Sequence, residues 1–388
     1  MLLLLPLLLL APLGALACLA PALAPRAGRV VTSVTGALFA LALVLAARVV
    51  AAGPVEGAHL WLRADALSAL VTLVVTSVAF ACAAYGEYYM PVVLDREREE
   101  DRWPAGRYEA LFLALVSGMM LGALANNLGL LWIAIEAATL ASALLVGYYR
   151  RPGAVEAGWK YLLLCSVGIA LALLATVLLY YSAVHVLGDG SRGLHWSVLR
   201  GVAPSLDPRF VKLAFLFALA GYGAKAGLAP MHSWLPDAYS QAPTPVAALM
   251  STALLATSLS ALLRFHAVTA ACVGHGWSNG LLVLFGVLSM VMATPFLLVQ
   301  GEYKRLLAYS SIEHTGIITF AIGIGSPLAV FGGVLHLFVQ AYAKSLAFLV
   351  GGSIARGAGS RRMDQWSGTL EASPALGTLL VGAGLGLG

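Results

Sequence analysis

Uninterrupted apolar stretches of about twenty residues recur along the whole length of this chain, and a water-soluble core has no room for so many. Eleven of them lie near 2–24, 28–52, 66–90, 109–127, 128–148, 159–184, 210–228, 245–266, 278–299, 306–325 and 328–355, and a twelfth opens near 373 and is cut by the last residue, Gly388. Each is long enough to cross the roughly 30 Å of bilayer hydrocarbon as an α-helix. Transmembrane β-strands would alternate in polarity and run only about 10 residues. Mean hydropathy is +0.89 and charged residues make up 11% of the chain, less than half of the roughly 25% usual in a soluble domain. The expected fold class is an all-α polytopic membrane protein.

The first stretch looks like a signal-peptide core ending near Cys18, but it lacks a basic leader and is too long. It is expected to stay as the first span. The four cysteines, Cys18, Cys82, Cys165 and Cys272, show no metal or disulfide spacing. With the N-terminus outside, fourteen Lys and Arg fall in inside loops and seven in outside loops, the bias that the positive-inside rule requires. In that assignment Lys304 belongs to an inside loop, and Arg264 and His266 end the eighth span as interface anchors. The net charge of +5 then reflects cytoplasmic loops, not a nucleic-acid surface. The mixed-charge segment 95–107 reads as a solvated loop or a contact for a cytoplasmic arm.

Lys225 and Lys344 are the remaining two basic residues, and they fall well inside apolar segments. A charge at the bilayer centre costs about 3 kcal/mol on insertion scales and more in simulations, so both mark function. Lys225 stands just before Gly227 and Pro230, with Pro236, Pro243 and Pro245 following. A continuous helix cannot pass such a run, and unwound backbone at membrane depth must be buried in protein or line a cavity. The end of the first half-helix carries partial negative charge, which favours a lysine there. Glu136, about nine residues from either end of its stretch, is the third intramembrane charge. Burial and a neighbouring cation act on a carboxyl in opposite directions, so a Glu136–Lys225 couple could hold and release a proton. The alternatives are a packing carboxylate and a snorkelling lysine.

His336, Gln340 and Lys344 recur at i, i+4 and i+8, placing a polar stripe on one helix face. Histidine titrates near neutrality, whereas Gln340 can only orient hydrogen bonds. A second set of candidates comprises Glu313 and His314 in the tenth span, His232 and Asp237 beside the helix break, and Lys160, whose i, i+4 relation to Glu156 equally fits a helix-stabilising pair. No GxxxxGK[ST] motif occurs, so direct ATP use is not expected. Neither catalytic nor metal-binding residues are expected, and no cofactor within this chain; Fe–S, NiFe or flavin groups would belong to partner subunits.

The stretches "LLWIAIEAATL" (130–140), "KAGLAPMHSWLPDAYSQAPTPVAAL" (225–249), "EYKRLLAYSSIEHTGII" (302–318) and "HLFVQAYAKSLAFLVGGSI" (336–354) resemble the proton-pumping membrane subunits shared by respiratory complex I, Mrp-type cation/proton antiporters and membrane-bound hydrogenases. Residues 126–150 and 156–174 resemble the component F type of hydrogenase-4 and formate hydrogenlyase. The resemblance implies an antiporter-like helix bundle with inverted repeats, a broken seventh helix, a fifth-span glutamate matched by Glu136, a seventh-span lysine matched by Lys225, and eleventh-span polar residues matched by His336 and Lys344. Gln340 stands where many relatives have a second histidine. The expected organisation is a three-span segment (1–90), a charged loop (91–108), a first five-span repeat (109–266) and a second repeat (278–388) that the sequence leaves incomplete, ending before the second broken helix.

The leading expectation is a proton-translocating subunit of a redox-driven complex in the bacterial inner membrane, with other membrane subunits and a peripheral redox arm as partners. An Mrp-type Na⁺/H⁺ exchanger and a non-pumping scaffold for a hydrogenase-like arm are the alternatives.

Overall fold

The structure is a computed structural model and describes residues 3–94, 106–188 and 190–387. The charged segment 95–105 lies outside the described residues. Helices dominate: α1 (Leu4–Leu19), α2 (Ala27–Ala52), α3 (Ala66–Leu94), α4 (Arg107–Leu124), α5 (Leu128–Val146), α6 (Pro152–Leu187), α7 (Trp196–Val202), α8 (Pro208–Ala226), α9 (Leu235–Gln241), α10 (Thr244–Leu249), α11 (Leu255–Val273), α12 (His275–Val299), α13 (Tyr303–Ile324), α14 (Pro327–Ala358), α15 (Thr369–Ala372) and α16 (Pro374–Leu387). A short antiparallel pair, Val55–Gly57 with Leu62–Ala64, separates α2 from α3.

Eight spans among the described residues are long and apolar enough to cross a membrane, and the chain is an integral membrane protein. Two further apolar stretches of the sequence, 210–228 and 306–325, are not among those eight but form helices of similar extent, α8 and α13. The first stretch is shorter than expected: its helix stops at Leu19, ahead of Pro21 and Pro25.

Helix ends follow from local chemistry. The Asn127 side chain accepts hydrogen bonds from the amides of Gly129 and Leu130 at the start of α5. Asp207 and Ser326 cap α8 and α14 in the same way, each followed by a proline at the first helical position.

The layout is concentric. The helix 244–273 is the hub, with 94% of its apolar window buried inside the bundle, whereas α12 has 22% and faces outward. Residues Met250–Leu254 of the hub form a π-helical turn, one of the distortions that collect at functional sites. On the α6–α8 seam a Cβ at Gly221 would come within 2.5 Å of the Gly168 carbonyl. The two backbones touch, as small residues permit between membrane helices.

Two expectations about cations are corrected. The eighth span does not end at Arg264 and His266 but runs on to Val273. Arg264 is therefore not an interface anchor: its side chain is 2% exposed and donates to Asp65 Oδ2 at 3.2 Å and Ser68 Oγ at 2.7 Å. Its guanidinium also lies 4.6 Å from the Trp196 ring. Lys304 is not a solvated loop residue: it is buried in the first turn of α13 and donates to the Ala242 carbonyl at 2.8 Å.

Candidate functional site

The break after Lys225 has the expected form. α8 ends at Ala226, and Gly227 takes the left-handed conformation at φ +79°, which a side chain would strain. Residues 228–234 cross as turns before α9 begins. The backbone groups freed by the break find partners. The Trp234 indole donates to the Ala224 carbonyl at 2.9 Å, and the Ala229 amide donates to Ser289 Oγ at 2.9 Å. Every backbone polar group needs such a partner where water is excluded.

Lys225 is completely buried. Its ammonium donates to the Tyr161 hydroxyl and sits 4.4 Å from the centre of the Tyr161 ring and 6.0 Å from that of Trp234. Aromatic faces attract a cation most strongly when water is absent. The Tyr161 hydroxyl in turn lies 2.6 Å from Ser142 Oγ of α5.

Glu136, also on α5, does not pair directly with Lys225: no ion pair within 4.0 Å joins them, although the two are within electrostatic reach. Instead Glu136 Oε1 accepts from Ser166 Oγ of α6 at 3.1 Å, and Oε2 is buried without a partner. The hydrogen-bond partner of the Lys225 ammonium is the Tyr161 hydroxyl, and the carboxylate stands outside ion-pair distance. Glu136 is half-buried, with Ile133 and Leu140 exposed beside it.

The second cluster forms where α13 packs on α14. Lys344 is completely buried and donates to Ser310 Oγ at 3.1 Å, with Glu313 in electrostatic reach. His336 stands two turns earlier on α14, roughly 12 Å along the axis at 1.5 Å per residue. Its Nε2 lies 2.8 Å from His314 Nδ1, the rings tilted by 33°. One ring must donate and the other accept, which fixes opposite tautomer roles in the neutral pair. Gln340 is buried between these groups in the stripe, and its Oε1 has no partner. Thus His314, from the second set of candidates, joins His336, Gln340 and Lys344.

The remaining candidates divide. His232 is buried in the break, with Nδ1 unpartnered. Asp237 is held away from both lysine clusters, by Arg305 of α13 and by Lys160 of α6 at 3.6 Å. Lys160 also pairs with Glu156 at 2.5 Å, so these residues tie α6, α9 and α13 together at a part-exposed edge. Sequence reasoning missed Tyr161 and Ser310, whose roles depend on helix packing. It missed the burial of Lys304 as well, because the residue adjoins Arg305 at a helix start.

Outside the spans, the Asp65 carboxyl is pushed up by burial, but the Arg264 charge and hydrogen bonds from Ser68 and Arg264 outweigh this and hold it below the usual carboxylate range.

The model of the family described as "NADH:quinone oxidoreductase/Mrp antiporter, TM" matches residues 125–388. A hydrogenase-4 component F homolog of Methylacidiphilum infernorum is 39% identical over 318 residues, covering 82% of this chain and 66% of that protein. A probable K⁺/H⁺ antiporter component of Rhizobium meliloti is 32% identical over 327 residues, 84% of this chain and 31% of the relative. The chain thus spans just under two thirds of the first relative's length and about a third of the second's. A chain of a membrane-bound sulfane sulfur reductase, an archaeal respiratory membrane complex, superposes with a TM-score of 0.85 at 23% identity, covering 98% of this chain and 76% of its own. That superposition gives the antiporter-like helix bundle, and the match over 125–388 takes in both lysine clusters. The chain belongs to the NADH:quinone oxidoreductase/Mrp antiporter transmembrane family.

Proposed function

We propose that this chain carries protons across a bacterial inner membrane, N-terminus outside, as one member of a multisubunit redox-driven complex. It performs no electron transfer itself. Its partners are other membrane subunits and a peripheral redox arm, which would hold any Fe–S, NiFe or flavin groups. The observation that carries this reading is the state of the two lysines: both completely buried, each held by a hydroxyl and neither by a carboxylate ion pair. A hydroxyl can stay hydrogen-bonded to an ammonium or to the amine left after deprotonation. A lysine so held can therefore gain and lose a proton without leaving its place. Glu136 serves as the exchanging group near Lys225, and the His314–His336 pair as the exchanging groups near Lys344. Gln340 stands between His336 and Lys344 in the stripe, and its unpartnered Oε1 is a free acceptor on that path.

The test is proton pumping by the assembled complex in proteoliposomes with Lys225→Ala. Loss of pumping with assembly and redox turnover intact supports the assignment. Unchanged pumping refutes it and leaves this chain as a scaffold for its partners. A second reading, Na⁺/H⁺ exchange, is favoured by the kinship with a cation/proton antiporter. Transport that requires Na⁺ and persists without redox turnover would select it.

A further inference from the structure

Three buried N–H donors gather at the end of the bundle where α3 begins, the outer end in the orientation proposed above. Arg264 reaches it from α11, Arg63 from the short antiparallel pair and Trp196 from the start of α7. The Trp196 ring lies 4.6 Å from the Arg264 guanidinium and 5.9 Å from that of Arg63, so one aromatic ring holds two cations that would otherwise repel.

The carboxylates nearby are engaged by the outer nitrogens of the guanidiniums. Arg264 donates through Nη1 to Asp65 and through Nη2 to Ser68, and Arg63 donates through Nη1 to Glu56. The other oxygen of Asp65, Oδ1, accepts from the Ser68 amide at 2.8 Å. That leaves Arg264 Nε, Arg63 Nε and Trp196 Nε1 buried and without a partner among the described residues. Leftover buried donors of this kind are where proteins hold internal water. Two groups that can accept, Thr72 Oγ1 one turn further into α3 and His195 Nε2 on the residue before Trp196, are unpartnered as well and would complete such a water's bonds. This wet layer lies close to the first lysine cluster. Phe265, next to Arg264, packs its ring 5.6 Å from that of Tyr222, and Tyr222 stands one turn before Lys225 on α8.

We propose that Arg264, with Arg63 and Trp196, forms a barrier on the outer side of Lys225 that admits water and excludes protons and metal cations; the inference rests on the reading of Lys225 as a proton carrier. Guanidinium and indole N–H groups only donate, so a water beside them turns its oxygen inward and its hydrogens away. Hydronium carries three donors and an oxygen that accepts poorly, and it meets two fixed positive charges at short range. Na⁺ meets the same charges. Arginines set barriers of this kind in water-conducting pores. A guanidinium does not deprotonate in proteins, so the barrier stays closed while Lys225 changes its protonation state. Without it, a proton on Lys225 would have a shortcut that no redox step controls.

The assembled complex is placed in proteoliposomes without redox turnover, and passive proton flux after an external pH step is read from an enclosed pH dye. Arg264→Gln/Asp65→Asn removes the fixed charge and leaves no carboxylate unpaired. Flux at least tenfold faster than wild type is expected, and flux equal to wild type overturns the barrier. Arg264→Lys keeps a cation beside Asp65, so flux close to wild type supports a barrier of charge. A leak as large as that of the double variant would reduce the effect to packing and overturn the proposal. Should the double variant misfold, Arg63→Gln decides, since its side chain is 23% exposed on the antiparallel pair and lies outside the helices. At least threefold faster flux is expected from it, and unchanged flux overturns the barrier. The barrier and the reading beneath it fail separately: Lys225→Ala that still pumps sinks that reading, whereas passive flux, measured with no pumping, judges the barrier alone.

Discussion

The two lysine clusters solve the same problem in different ways. Lys225 ends a broken helix, its ammonium enclosed by the rings of Tyr161 and Trp234 and by one hydroxyl. Lys344 sits within an unbroken helix of 32 residues, at the end of a row of polar side chains that reaches a pair of histidines. The first arrangement favours holding a charge in place; the second favours passing one along. Arg264 sharpens the contrast, since it is equally buried but locked to a carboxylate. Of these three, the cation locked to a carboxylate reads as structural, and the two lysines held by hydroxyls read as mobile in charge.

The most severe test of this contrast is Lys225→Arg. A guanidinium keeps the charge but does not deprotonate in proteins, so proton transport should fall at least tenfold in proteoliposomes while assembly is retained. Normal transport would mean that Lys225 need not release a proton. A smaller loss, about three- to tenfold, is expected for His336→Ala, because His314 and Lys344 remain. Its pH profile should shift, which a packing defect alone would not produce.

Stability measurements test the third cation. Breaking a buried ion pair costs about 3 kcal/mol or more, so Asp65→Asn should lower the thermal midpoint at neutral pH. The Asp65 carboxyl is held below its unfolded value. Its contribution is therefore complete above the unfolded pKa of about 3.9 and lost as pH falls through the lower folded value. The wild type should lose its margin over Asp65→Asn in that acid range; a margin constant with pH would refute the ion-pair account. The smallest effects come from the hydroxyls. Tyr161→Phe removes the ammonium's hydrogen bond but keeps the ring, at about 1–3 kcal/mol. Ser310→Ala should cost about the same or less, and the ordering in thermal unfolding checks whether the aromatic enclosure is the tighter one.

Much of this arrangement was legible in the chain. Apolar run length located the helices, the Gly and Pro run after Lys225 located the break, and four-residue spacing located the stripe from His336 to Lys344. Each signal is local, set by backbone chemistry within a turn or two. What was not legible depends on which helices meet. His314 and His336 are 22 residues apart and touch because α13 packs on α14. Tyr161 reaches Lys225 because α6 packs on α8, the two backbones approaching at Gly168 and Gly221. Arg264 and Lys304 looked like boundary residues because a second polar or charged residue, His266 or Arg305, stands within two positions of each, and only the surrounding helices reveal that they are enclosed.

The glycine seam between α6 and α8 has a mechanical meaning. Surfaces in backbone contact cannot slide past one another without separating, so the half-helix ending in Lys225 is pinned along its length. In machine terms this part of the bundle is a stator. Whatever stroke accompanies a transfer event there must be taken up by swinging side chains and by the seven-residue crossing from Leu228 to Trp234, which is not helical.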